Sequence, residues 1–218
     1  VSKKEQLAIV IKKNTFESDS RSFNKSSSST KRSFALENII KKFDGSSLFI
    51  STTGKLSREL YELRVKNGQE NDDFYVVGGM GHASAIATGI LHEIESKKII
   101  CLDGDGSILM HMGHLSLVAK KHYKNFIHIV FNNSAHESVG GQPNNYEILD
   151  RNKLFKALGY KETIFIKNIS DIENYDFKNL VGPVYIEIEV ENSSNKNLMR
   201  PDKPPVKNKE SFIRKIHE

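Results

Sequence analysis

A single cysteine, Cys101, excludes an internal disulfide framework and suits a reducing compartment. It lies inside an apolar run, so packing rather than nucleophilic chemistry is its expected role. No run of roughly 18 consecutive apolar residues appears, which excludes a transmembrane helix, and there is no signal peptide; the expected location is cytoplasmic. No Gly-Lys-Ser or Gly-Lys-Thr triplet occurs, so a P-loop is absent. The net charge of +5 is modest, its lysines are scattered, and no aromatic-basic module accompanies them. That argues against nucleic acid as a partner and fits anionic small molecules. The chain starts at Val1 without a methionine, pointing to a processed or truncated polypeptide.

What is present is an alternation of short apolar runs and amphipathic stretches. Gln6–Ile11 reads as a buried strand, and residues 1–16 as the last strand of an upstream domain that is missing. Residues 17–33 are mainly Ser, Asp, Asn, Lys and Arg and read as a linker, because they bury too little apolar surface to offset ordering. Residues 34–192 form the expected main domain. Helices are predicted over 34–43, 55–65, 82–96, 107–122 and 150–158, and strands over 48–51, 74–77, 98–103, 126–132, 163–166 and 183–190. Residues 193–218 read as a polar tail with three prolines and a short Lys-rich helix. The alternation predicts an α/β fold, a doubly wound, mostly parallel sheet flanked by helices.

Two motifs carry chemistry. Gly104-Asp105-Gly106-Ser107 ends one predicted strand and opens a helix, and Asn132-Asn133 ends the next strand, 25 positions after Ser107. A carboxylate and a carboxamide are hard oxygen donors, suited to Mg²⁺ or Ca²⁺ rather than zinc. At the carboxyl ends of parallel strands, a magnesium ion could clamp a diphosphate against the glycine turn. An EF-hand register would place its first and last ligands at Cys101 and Met112, neither of which binds calcium. A dinucleotide fingerprint starting at Gly104 would meet Leu109 where a third small residue belongs. Taken singly, each motif also fits an ordinary βα turn or Asx-rich turn. Gly78-Gly79-Met80-Gly81-His82 allows positive φ and close backbone approach, or is simply a tight turn. Ser51-Thr52-Thr53-Gly54-Lys55 fits an anion-binding turn or a plain helix cap. His111 and His114 read as packing or surface residues, His92, His122 and His128 belong to no cluster, and His217 is terminal.

The Gly-Asp-Gly and Asn-Asn pair resembles the bipartite signature of thiamin-diphosphate-dependent enzymes. Asn132 through Pro143, with Ser51–Lys55 and Arg58-Glu59-Leu60, is similar to phosphonopyruvate decarboxylases within them, and in altered form to sulfopyruvate decarboxylases. The resemblance implies thiamin diphosphate and Mg²⁺ as cofactors. Asp105 and Asn133 would bind the metal by side chain and Ala135 by its backbone carbonyl. Gly104, Gly106 and Ser107 would form the diphosphate turn, with backbone N–H groups from the last two. Ser51, Thr52, Thr53 and Gly54 would reach the terminal phosphate or the substrate. Gly78 would offer its carbonyl to the aminopyrimidine, with Gly79 beneath the cofactor and Met80 as the wedge that bends it. His136 and Gln142 would face the substrate as catalytic residues.

The implied activity is decarboxylation of phosphonopyruvate to phosphonoacetaldehyde and CO₂, a step of phosphonate biosynthesis toward 2-aminoethylphosphonate. The alternatives are a sulfopyruvate decarboxylase β-type subunit, another thiamin enzyme acting on a 2-oxo acid, and a non-catalytic scaffold. The family's activating glutamate belongs to a pyrimidine-binding domain, expected on the same full-length chain or a separate subunit. A homo-oligomer is expected, and the chain alone should bind cofactor weakly and turn over nothing.

Overall fold

The computed structural model describes residues 7–12, 15–16, 28–69, 72–193, 195 and 197–218. In chain order its elements are α1 (Arg32–Lys41), β1 (Leu48–Ser51), α2 (Lys55–Lys66), β2 (Phe74–Tyr75), α3 (Ala83–Leu91), β3 (Ile99–Gly104), α4 (Asp105–Met110), α5 (Ser116–Lys121), β4 (Phe126–Asn132), β5 (Ala135–His136), β6 (Gln142–Pro143), α6 (Arg151–Ala157), β7 (Glu162–Ile166), α7 (Ile169–Asn174), β8 (Val184–Glu189) and α8 (Pro205–His217). Six strands make one sheet in the order β2-β1-β3-β4-β8-β7, and every pairing in it is parallel. β5 and β6 form a separate antiparallel hairpin.

The central strands read as continuous apolar runs because both faces of the sheet are covered. Period-two alternation sends neighbouring residues to opposite sides. Phe49, Ile100, Leu102, Ile127 and Ile129 pack with Leu36 and Ile39 of α1, Leu60 of α2 and Ile172 of α7. Leu48, Ile50, Ile99, Cys101 and Val130 pack on the other face with Ala87 and Leu91 of α3, Phe155 of α6 and Phe212 of α8. Among the described residues, no helix is long and apolar enough to cross a membrane.

Several expectations need correction. Residues 7–11 form no strand: they pair with nothing in the sheet, and Val10 is 92% exposed. Gln6 and residues 17–27 lie outside the described residues. The end of the expected linker is structured instead. Arg32 and Ser33 open α1, Arg32 is buried, and the Ser28 hydroxyl and Thr30 carbonyl bond to the backbone of Glu189 and Glu191. The expected helix 82–96 ends at Leu91.

The expected helix 107–122 breaks into α4, a 3₁₀ turn (Met112–Leu115) and α5. The expected 74–77 strand is confined to Phe74–Tyr75, while α7 and the β5–β6 hairpin appear where no element was predicted. The Lys-rich helix is 13 residues long. Its Asn208 is buried, accepting from the Tyr75 N–H and donating to the Asp73 carbonyl. Those bonds satisfy backbone groups beside the short edge strand β2.

Candidate functional site

In this topology the chain runs outward from β1 to β2, then returns to place β3 on the other side of β1. Ligands bind open α/β sheets in the crevice outside the carboxyl ends at such a reversal. Three segments leave the sheet there: Thr52–Leu56 after β1, Gly104–Ser107 at the end of β3, and Asn133–Ser138 after β4. Together with Arg32, Met80 and Phe131 they line one open cleft.

Asp105 opens α4 and is 3% exposed. Its Oδ2 accepts from Asn144 Nδ2 at 2.8 Å. Burial pushes the carboxyl up to about 6, against the pull of Asn144 and the backbone N–H groups of Gly106 and Ser134, and Glu187 adds to the rise. No cationic side chain pairs with it among the described residues, so this is a buried carboxylate held by neutral donors alone. Asn133 faces the same cleft; its Oδ1 accepts from the Ala135 N–H at 3.1 Å.

The third donor is set by strand geometry. Ser134 O accepts from the Asn144 N–H, and His136 O from the Gly141 N–H. Alternation along an antiparallel pair therefore turns the Ala135 carbonyl, between them, away from the hairpin. Its partner across the ladder is Pro143, which has no N–H to offer. Ser134 sits at φ 56, stabilised by Asn132 Oδ1, which accepts its N–H at 2.9 Å. Asp105, Asn133 and Ala135 would thus offer oxygen atoms only, a donor set that fits a hard cation such as magnesium better than zinc.

The turn beside them is built for backbone contact. A Cβ at Gly106 would lie 2.9 Å from His136 Nδ1, so any side chain there would push that ring aside. The Ser107 hydroxyl lies 2.8 Å from Thr52 Oγ1 and accepts the Gly81 N–H at 3.0 Å, linking three separate strand-end turns. Gly81 has φ +85, and its Cβ would meet His111 at 2.7 Å. Below Asp105 runs a buried polar chain: Asn144 accepts the Tyr146 N–H, Tyr146 meets Tyr185 at 2.9 Å, Tyr185 donates to Glu187, and Glu187 accepts from Asn132. Both motifs, at the ends of β3 and β4, are held through it.

Of the residues expected at the site, Thr52, Thr53, Gly54, Met80, Gly104, Asp105, Gly106, Ser107, Asn133, Ala135 and His136 line the cleft. Ser51, Gly78, Gly79 and Gln142 do not. Ser51 is fully buried in β1, Gly78 and Gln142 are exposed, and Gly79 is half-buried against Val76. The Thr53 hydroxyl is committed to the Val76 carbonyl at 2.9 Å. Sequence reasoning missed Arg32 by assigning it to a linker, and missed Glu137 and Asn144, although all three are Asx- or charge-bearing residues inside or beside the motifs. It also missed a buried group: His128 Nδ1 lies 2.8 Å from Tyr160 OH, and Nε2 lies 3.5 Å from Asp103 Oδ2, next to Cys101. The register that pairs Cys101 with His128 makes this cluster, and no local pattern announces it. Cys101 is packed as expected, with burial holding its thiol above the ordinary range.

Comparison with known proteins agrees with this arrangement. Residues 52–188 match the family described as thiamine pyrophosphate enzyme, C-terminal TPP binding domain. A phosphonopyruvate decarboxylase from Streptomyces viridochromogenes is 32% identical over 174 residues, 78% of this chain and 42% of that protein. The chain therefore spans less than half the length of that relative. A sulfopyruvate decarboxylase subunit beta from Methanocaldococcus jannaschii is 31% identical over 189 residues, 85% of this chain and 97% of that subunit. A solved structure described as a thiamin diphosphate-dependent enzyme from Mycobacterium smegmatis shares the fold with a TM-score of 0.56 at 15% identity, covering 76% of this chain and 32% of that one. From the matched residues, and from the oxygen-lined cleft that they enclose, this chain belongs to the thiamine pyrophosphate enzymes and carries their C-terminal cofactor-binding domain.

Proposed function

We propose that the chain is the diphosphate-binding half of a thiamin-diphosphate- and Mg²⁺-dependent 2-oxo acid decarboxylase acting on phosphonopyruvate, yielding phosphonoacetaldehyde and CO₂. The observation that carries this reading is the convergence of Asp105, Asn133 and Ala135 on the cleft that also holds the Gly104–Ser107 turn. Asp105 and Asn133 would hold the cation by side chain and Ala135 by its carbonyl, and the cation would supply the counter-charge that the buried Asp105 carboxylate lacks. Gly106 and Ser107, at the start of α4, would give backbone N–H groups to the diphosphate.

Thiamin diphosphate, when bound, supplies a nucleophilic carbon and an electron sink for loss of CO₂. Met80, at the cleft wall, would set the cofactor's bend, and His136, seated over Gly106, would orient the substrate. Gln142 is exposed on the hairpin, and Gly78 and Gly79 lie outside the cleft, so any role for them depends on a facing pyrimidine-binding domain, which we assign to another segment or subunit. A specific observation favours the second reading, a subunit of a sulfopyruvate decarboxylase: the chain matches 97% of the length of one such β subunit.

The test has two stages. Calorimetry should detect thiamin diphosphate binding that requires Mg²⁺ and is lost in Asp105→Ala; binding unchanged by that substitution would remove Asp105 as a metal ligand. The chain combined with a pyrimidine-binding partner is then assayed for CO₂ release from phosphonopyruvate and sulfopyruvate. Turnover by the chain alone would refute the half-site reading, and exclusive turnover of sulfopyruvate would replace phosphonopyruvate as substrate.

A further inference from the structure

At the mouth of the cleft, two cations converge on one carboxylate. Lys55 Nζ lies 2.9 Å from Glu137 Oε1, and Arg32 Nη1 lies 2.9 Å from Glu137 Oε2. Arg32 is already balanced by Glu59, which takes Nε at 2.7 Å and Nη2 at 3.0 Å. Its Nη1 is therefore a surplus charged donor aimed into the cleft. Lys55 is the first residue of α2, whose N-cap, Gly54, offers no side chain to the helix's leading N–H groups. The partial positive charge of that helix end adds to the same spot.

The two sides of this cluster differ in how they are held. Arg32 and Lys55 stand on α1 and α2, packed against the sheet. Glu137 stands in a 3₁₀ turn (Glu137–Val139) of the β5–β6 connection, followed by Gly140 and Gly141 at φ 122 and 79. Val139 beside it is 70% exposed. The cationic side thus stands on two packed helices, and the carboxylate on a short turn followed by two glycines, which leave its backbone the wider conformational choice.

We propose that Lys55 and Arg32 form a subsite for a tetrahedral oxyanion, and that the Glu137 carboxylate occupies it until such an anion takes its place. A phosphate-class dianion brings more charge than a carboxylate and a third oxygen, so it competes well for a lysine plus a guanidinium edge. The anion is either the terminal phosphate of the cofactor or the charged end of the substrate. This deepens the reading of the same cleft, but its test needs neither cofactor nor turnover. Phosphate binding can fail while thiamin diphosphate binds, and the reverse.

The test is titration of the chain with inorganic phosphate at low ionic strength, followed by calorimetry. Glu137→Gln, which keeps the shape and removes the charge, should bind phosphate on the order of tenfold tighter than the wild type. Lys55→Met in that background should abolish the gain. Unchanged or weaker binding in Glu137→Gln, or a gain that survives Lys55→Met, would overturn the proposal. Should Glu137→Gln fold poorly, the wild type carries the test: saturating phosphate should speed amide hydrogen exchange over residues 137–141, and unchanged exchange with phosphate bound would refute displacement. Repeating the titration with Mg²⁺ and thiamin diphosphate present separates the sources. Competition assigns the subsite to the cofactor's phosphate, and simultaneous binding assigns it to the substrate.

Discussion

Asp105 concentrates the residue-scale physics of the cleft. Its carboxyl is pushed up to about 6 from 3.8, so the folded state holds the proton more tightly than the unfolded chain. This stabilising contribution is complete below the unfolded value and is lost as pH rises through about 6, by at most about 2–3 kcal/mol. Ionised Asp105 therefore burdens the fold at neutral pH, and a divalent cation held there would relieve it. Asp105→Asn should melt no lower than the wild type in chelator at about pH 8, while losing Mg²⁺ binding altogether. In the wild type, Mg²⁺ affinity should fall roughly tenfold per pH unit below about 6, because the cation and the proton compete for one carboxylate. A flat affinity between pH 5 and 7 would contradict the burial argument. The placement of Asp105 and Asn133 at neighbouring strand ends was legible in the sequence, because each follows an apolar run in a local turn pattern. Asn144 was not: it reaches Asp105 only because the hairpin folds it back.

At the scale of elements, strands β1, β3, β4 and β8 were legible from their apolar runs, and α2 from its spaced leucines, since burial on fixed faces writes itself into sequence. The break after α4 was not: Gly113 was the one local hint, and the chain leaves the helix at His111 (φ −140, ψ 39), which packs close to Gly81. Residues 7–11 form no strand here for the opposite reason: an apolar run predicts burial, yet none of the described residues covers them. Two tests belong here. Ser107→Ala removes the hydroxyl shared by Thr52 and the Gly81 N–H, and should cost about 1–3 kcal/mol in urea unfolding while loosening all three turns. Arg32→Met strands the 3%-exposed Glu59 on α2 and should cost about 3–5 kcal/mol, most of it recovered when Glu59→Leu is added. Equal losses in the single and double variants would show that the α1–α2 ion pair is not what holds those helices together.

On the scale of the whole molecule, the cleft has no local origin. Thr52, Asp105 and Asn133 come from three crossovers and meet only because β1, β3 and β4 lie side by side in register. A ligand that needs all three binds only the assembled sheet, so saturating Mg²⁺ and thiamin diphosphate should raise the global unfolding free energy by about 2.7 kcal/mol at a hundredfold excess over Kd. Pulse proteolysis should show that protection across the full length of residues 48–189, not at the loops alone. Cofactor supply would then govern how long the polypeptide survives in a cell: starved of its vitamin, the molecule would be cleared sooner, whatever its rate of synthesis.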